Sequence, residues 1–229
     1  MKSPRETKIA QDGTHRLIPY QYSDGGKPIL NRLAQDDDLL LSDLTELEGA
    51  TNARLLGESG KLLGITMMEL VSGFPFAHIV NASFTHPRPS GGRFNNEDRG
   101  AWYAAFEIQT SQAEVAFYKT IEFQEVGWKD EEDPKYIDYV ADFKHEFHDI
   151  REDSEFADCL DPKSHAAGQA LGVHLLTSGS AGIVYPSVRH NRGVCIVCFR
   201  PPLVLNVQKG ALVTLNYVDG VMVGSSIQN

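Results

Sequence analysis

The sequence predicts an α/β or α+β domain built around a mixed β-sheet, on three observations. Short apolar, β-branched runs bounded by turn residues recur along the chain at 77–84, 101–106, 181–187, 194–200 and 211–218. Two helix-like stretches, 110–126 and 164–176, stand well apart among them. Finally, 229 residues that are 41% hydrophobic suffice for one sizeable core.

The elements follow in order. Residues 1–30 are polar, with SDGG and KP as breakers, and are expected to form a loosely ordered arm. The Leu-rich stretch 30–56 suggests one or two short helices, with Ser42 and Glu46 giving N-cap chemistry. The expected division is a polar arm and helical N-terminal extension over 1–60, then the main domain over 61–229. AHIVNASF (77–84) reads as a strand buried on both faces, and 85–100, rich in Gly, Pro, Asn and Asp, as a loop. AWYAAF (101–106) is a strand, and TSQAEVAFYKTIEFQEV (110–126) a helix capped by Thr110 or Ser111. YIDYVADFKHEFHDI (136–150) alternates at period two, with Ile137, Tyr139, Ala141, Phe143, His145 and Phe147 on one side, and is a strand. Asp161-Pro162 opens a second helix over about 164–176 that closes near Gly179. AGIVYPS, VCIVCFR and ALVTLNYV supply three more strands.

Composition excludes several functions. A net charge of −10 argues against direct nucleic-acid binding, although a small anion needs only a few placed cations. The polar start does not read as a secretory signal and no apolar run is long enough to span a bilayer, so a cytoplasmic location is the default. Cys195 and Cys198 lie three apart in an apolar strand, pointing to opposite faces, and suit core thiols better than zinc. His145 and His148 are also three apart in a strand, which does not make an H-E-x-x-H site, and no metal is expected. Walker A, G-x-G-x-x-G and G-x-S-x-G patterns do not occur.

Candidate chemistry sits in the polar loops. Arg88, Arg93 and Arg99 share the 85–100 loop, where Gly91 and Gly92 would let backbone approach a ligand and Arg93 offers a fork for phosphate. Glu114 lies early in an otherwise apolar helix segment. Ser187 ends a strand and precedes VRHNRG, a second loop with two arginines. Trp102 and Tyr103 alternate, so one ring should pack in the core while the other faces a cleft.

In order, GGRFN (91–95), GAWYAAF (100–106), TSQAEVAF (110–117) and AGIVYPSVRHNRGVCIVCF (181–199) resemble the RES family over about residues 75–205. The resemblance implies a fold similar to that of ADP-ribosyltransferase toxins and NAD+ as substrate. It also implies a partner antitoxin with an Xre-type helix-turn-helix domain, and it leaves self-association open. It places Arg93 near the phosphates, Tyr103 beside the nicotinamide or ribose, Glu114 at the reacting ribose and Ser187 in the pocket wall. Many members end their first strand with an Arg and an aromatic. Here that region reads Asn81-Ala82-Ser83-Phe84, so the Arg is absent or supplied by Arg88. Asn81, Phe84, Arg88 and Asn95 are the further candidate substrate contacts. The expected activity is cleavage of the nicotinamide–ribose bond by hydrolysis or phosphorolysis. The alternatives are mono-ADP-ribosylation of a protein and a non-catalytic interaction role.

Overall fold

The computed structural model describes residues 1–23 and 64–228, so the helices expected over 30–56 lie outside the described residues. In chain order the elements are β1 (Glu6–Pro19), α1 (Ala77–Thr85), β2 (Trp102–Ala105), α2 (Ile108–Glu125), β3 (Lys135–Asp149), α3 (Ala166–Thr177), β4 (Gly182–Pro186), β5 (Val194–Cys198), β6 (Leu205–Val218) and β7 (Val221–Gln228). The mixed sheet is present, with seven strands in the order β1-β2-β5-β4-β3-β6-β7. β3 and β4 are parallel and the other pairs antiparallel. β1 also pairs along β3, from Glu6↔His148 to Pro19↔Tyr136, so β1, β2, β5, β4 and β3 form a closed circuit. The β6–β7 hairpin branches from β3.

Alternation along the central strands feeds two separate cores. Trp102, Ala104, Val184, Ile196 and Cys198 join Ile79, Val80 and Phe84 of α1. Ala105, Ile183, Tyr185, Cys195 and Val197 join Leu171 and Leu175 of α3. Both faces are covered, which explains why these runs read as continuously apolar. The two cysteines do fall on opposite faces. A third cluster sets Leu17, Tyr136, Val213 and Leu215 against Ile108, Val115 and Ala116 of α2.

Three expectations need correction, and one strand is added. Residues 6–19 are not a loose arm but a strand hydrogen-bonded to β3, so they belong with the sheet and not with an extension ending at residue 60. A bulge at Asp12-Gly13 shifts the register, with the Gly13 N–H donating to Asp142 Oδ1 at 2.9 Å, and it breaks the alternation that would have revealed the strand. Residues 77–84 form helix α1, not a strand. Val80 and Phe84, and Asn81 and Thr85, are buried pairs four apart, and the Thr85 hydroxyl donates back to the Asn81 carbonyl. A short apolar run cannot by itself separate a buried strand from a buried helix. The N-cap of α2 is Glu107 rather than Thr110 or Ser111. Finally, β7 follows a tight turn in which Asp219 and Gly220 both have positive φ.

The period-two reading of β3 holds through its middle and fails toward its ends. His145 is exposed although Phe143 and Phe147 on its side are buried, and Tyr136 and His148 are buried on the other. Asp138, on the polar side, is 2% exposed and lies 2.7 Å from His15 Nδ1.

Candidate active site

Helix α2 builds one wall of the site. Thr110, Glu114, Phe117 and Tyr118 recur at helical spacing and share a face, while Ile108, Val115 and Ala116 face the core. Glu114 is half-buried. The loop from Ser187 to Gly193 lies over it, closed by the Ser187 N–H donating to the Gly193 carbonyl at 2.8 Å. Ser187 Oγ accepts from the backbone N–H groups of Arg189 (3.1 Å) and His190 (3.0 Å) and donates to Glu114 Oε1 at 2.6 Å. Glu114 and Ser187, far apart in sequence, are therefore brought together. Cys195 Sγ stands 4.0 Å from the same Glu114 oxygen. Burial first, then the Glu114 charge, pushes the Cys195 thiol well up, so it stays protonated. Tyr185 is raised likewise, by burial and then by Cys195 and Glu114.

The 91–95 turn forms the opposite side. Arg93 is 5% exposed and donates from Nη1 to the carbonyls of Cys159 (3.2 Å) and Asp161 (2.9 Å). The Tyr103 hydroxyl accepts from the Phe94 N–H at 2.9 Å and donates to Asn95 Oδ1 at 2.8 Å. Asn95 Nδ2 is held by the Asn96 and Arg99 carbonyls. Tyr103 and Asn95 thus brace the turn, and Tyr103 is only partly buried whereas Trp102 is fully buried. Gly92 makes room for Tyr103, since a Cβ there would lie 2.7 Å from the tyrosine oxygen. Helix α3 closes from below with Gly168 and Gly172, whose Cβ positions would meet the carbonyl oxygens of Arg93 at 2.3 Å and Phe94 at 1.9 Å.

Four arginines converge here. Arg16 on β1 donates to the Tyr103 carbonyl at 2.9 Å and lies over the Trp102 ring. Arg88 lies 5.4 Å over Tyr118, and Arg189 lies 3.3 Å over Phe117 while donating to the Pro162 carbonyl. Among the described residues none of these four, Arg93 included, pairs with a carboxylate. Arg16 Nε, Arg93 Nη2 and Arg189 Nε are buried there without a hydrogen-bond partner. Burial, then the Arg88 charge, lowers Arg16 to about 10. His165, whose Nε2 is 3.1 Å from the Tyr118 hydroxyl, is held below 6.5 by burial and then by Arg93, Arg189 and Arg88. So much positive charge without a carboxylate partner, in a chain of net charge −10, is chemically suited to holding an anion.

Two expected contacts lie elsewhere. Phe84 is fully buried in the α1 core, and Asn81 joins both backbone groups of Val71 through its amide, at 3.0 and 2.9 Å. Both sit on α1, not at the end of the first strand. The first strand is β1, and it carries Arg16; the run THRLIP beyond the bulge, three polar residues followed by three apolar ones, gives no period-two signal for it. A concavity lined by Glu131, Glu132, Asp133, Asn216 and Tyr217 stands apart from these groups, and its carboxylates would repel phosphate. Among the described residues no helix is long and apolar enough to cross a membrane.

A family model described as the RES domain matches residues 71–217. No curated protein matches the chain. One solved structure similar to it is the M. tuberculosis MbcT–MbcA toxin–antitoxin complex, at 15% identity and a TM-score of 0.41, covering 58% of this chain and 74% of the other.

Proposed function

The chain belongs to the RES family, and from that premise we propose that it is a toxin-like enzyme that binds NAD+ and cleaves the nicotinamide–ribose bond. The observation that carries this reading is a fixed carboxylate beside unpaired guanidinium groups, with Glu114 held by Ser187 at 2.6 Å.

Breaking this bond develops positive charge on the ribose, as in other glycosyl transfers. Nicotinamide leaves with the bonding electron pair and becomes neutral, so no general acid is required. A carboxylate at the ribose stabilises the growing charge, and Glu114 supplies it. Arg16, Arg93, Arg88 and Arg189 would hold the pyrophosphate, with Arg16 as the first-strand Arg of the family. The exposed part of the Tyr103 ring would lie against the nicotinamide or ribose, so that binding remote from the reacting bond orients it. With water as acceptor the products are ADP-ribose, nicotinamide and a proton. With phosphate, ADP-ribose 1″-phosphate forms instead.

Glu114→Gln keeps the shape and the Ser187 contact but removes the charge. Nicotinamide release should fall by about 100- to 1,000-fold while NAD+ binding persists. Release by the variant at the wild-type rate would remove Glu114 from the mechanism. Dependence of release on added phosphate separates phosphorolysis from hydrolysis. Radiolabelled NAD+ appearing on a protein band in lysate would instead identify a mono-ADP-ribosyltransferase. Family membership also supports a role as the toxin of a toxin–antitoxin pair, inhibited by a helix-turn-helix partner. Growth arrest on expression, relieved by Glu114→Gln, is the expected result.

A further inference from the structure

Thr110 and Glu114 are four residues apart on α2, one turn above the other on the same face. The 187–193 loop touches both, Ser187 at Glu114 and His190 at Thr110.

The bond directions at Thr110 are forced. A carboxylate only accepts, so the Thr110 hydroxyl gives its one hydrogen to Glu107 Oε2, at 3.0 Å. The contact of 2.8 Å with His190 Nδ1 must then be donated by the imidazole, which fixes the Nδ1–H tautomer. The backbone N–H of the same histidine donates to Ser187 Oγ. Thr110 is fully buried, and Gly193 permits the approach, because a Cβ there would stand 2.5 Å from Thr110 Oγ1 and 3.0 Å from His190 Nδ1.

We infer that His190 is a positioning residue for Glu114: its ring grips Thr110 and its backbone grips Ser187, clamping the loop to two successive turns of α2. The clamp sets the separation of Ser187 from the carboxylate. This inference rests on Glu114 being the essential group.

His190→Ala deletes the ring donor and leaves the backbone N–H in place. Its kcat for nicotinamide release should fall about 10- to 100-fold with KM changed less than about twofold, as expected when a reacting group is misplaced and binding is spared. His190→Asn offers an amide N–H near the Nδ1 position and should restore most of the loss. Thr110→Val should reproduce the loss, and combining it with His190→Ala should add little more. Wild-type kcat in His190→Ala, an Asn variant no better than Ala, or a loss shared equally with KM would each overturn the clamp. Nitrogen NMR of the histidine rings gives an answer independent of turnover. The Nδ1–H tautomer of His190 is expected in the wild type and should be lost in Thr110→Val. An Nε2–H tautomer in the wild type would overturn the clamp even in an active enzyme. Absence of any NAD+ cleavage would instead sink the Glu114 reading while the tautomer still decides the clamp.

Discussion

Two backbone N–H groups reach the Ser187 oxygen, so its single hydrogen can go only outward, to Glu114. A side chain with freedom to rotate has thereby become a fixed donor, and the carboxylate it meets is held before substrate arrives. Arg16 is prepared in another way. Its guanidinium is partly desolvated with one nitrogen unpaired, an arrangement that favours any anion able to complete it. Arg16→Ala should therefore weaken NAD+ binding by about 1.5–3 kcal/mol, roughly ten- to hundredfold in KM, with a smaller effect on kcat. Steady-state kinetics measure both, and an unchanged KM would remove Arg16 from the phosphate site.

Among the elements, α3 has little room to change. Gly168 and Gly172 let it lie against the backbone of the turn that carries Arg93. Gly172→Ala would drive a methyl group into the Phe94 carbonyl, and an overpacked contact of this kind costs about 1–3 kcal/mol. Thermal unfolding should show a lowered Tm together with a raised KM for NAD+, because Arg93 moves with the turn. A lowered Tm without the kinetic change would uncouple the two. At this scale the sequence was uneven to read. β2, β4 and β5 are legible as apolar runs bounded by turn residues, β3 through its period, and α2 and α3 as longer helical stretches, although α2 begins earlier, at Ile108. β6 was recognised only from residue 211, although it begins at Leu205. β7 has a strong hairpin signal in Asp219-Gly220. α1 is ambiguous because its first eight residues, only five of them apolar, fit either period, and β1 because a bulge splits its alternation and its inward side chains are few. Glu114 and Ser187 emerged through motif order, but their mutual bond is tertiary and has no trace in local sequence. The convergence of Arg16 with Arg93 was hidden for the same reason.

The molecule as a whole carries histidines that favour the neutral form. His148, 2.9 Å from Ser180 Oγ, is held below 6.5 by burial, which outweighs the attraction of Glu6. His165 is held down by burial and arginines. In the unfolded chain both would take up a proton near 6.5, so the unfolded state binds more protons as pH falls and native stability declines. This contribution is complete above 6.5 and is lost below it. Tm should drop between pH 7.5 and 5.5, and His148→Gln should show a smaller drop. An equal drop would mean that burial of His148 is not a source of the pH dependence.

The closed circuit of strands also governs when the site exists. Arg16 and Tyr103, joined by one hydrogen bond, are separated by 87 residues, and β1 finds its long pairing partner only in β3. During synthesis the N-terminal strand must wait for most of the chain to emerge, since pairings so distant in sequence form late. On the proposed reading, a nascent or prematurely ended chain holds neither the assembled cation site nor the Ser187 that steadies Glu114. Such a chain leaves the NAD+ of the cell that makes it untouched, and only the finished fold can begin to consume it.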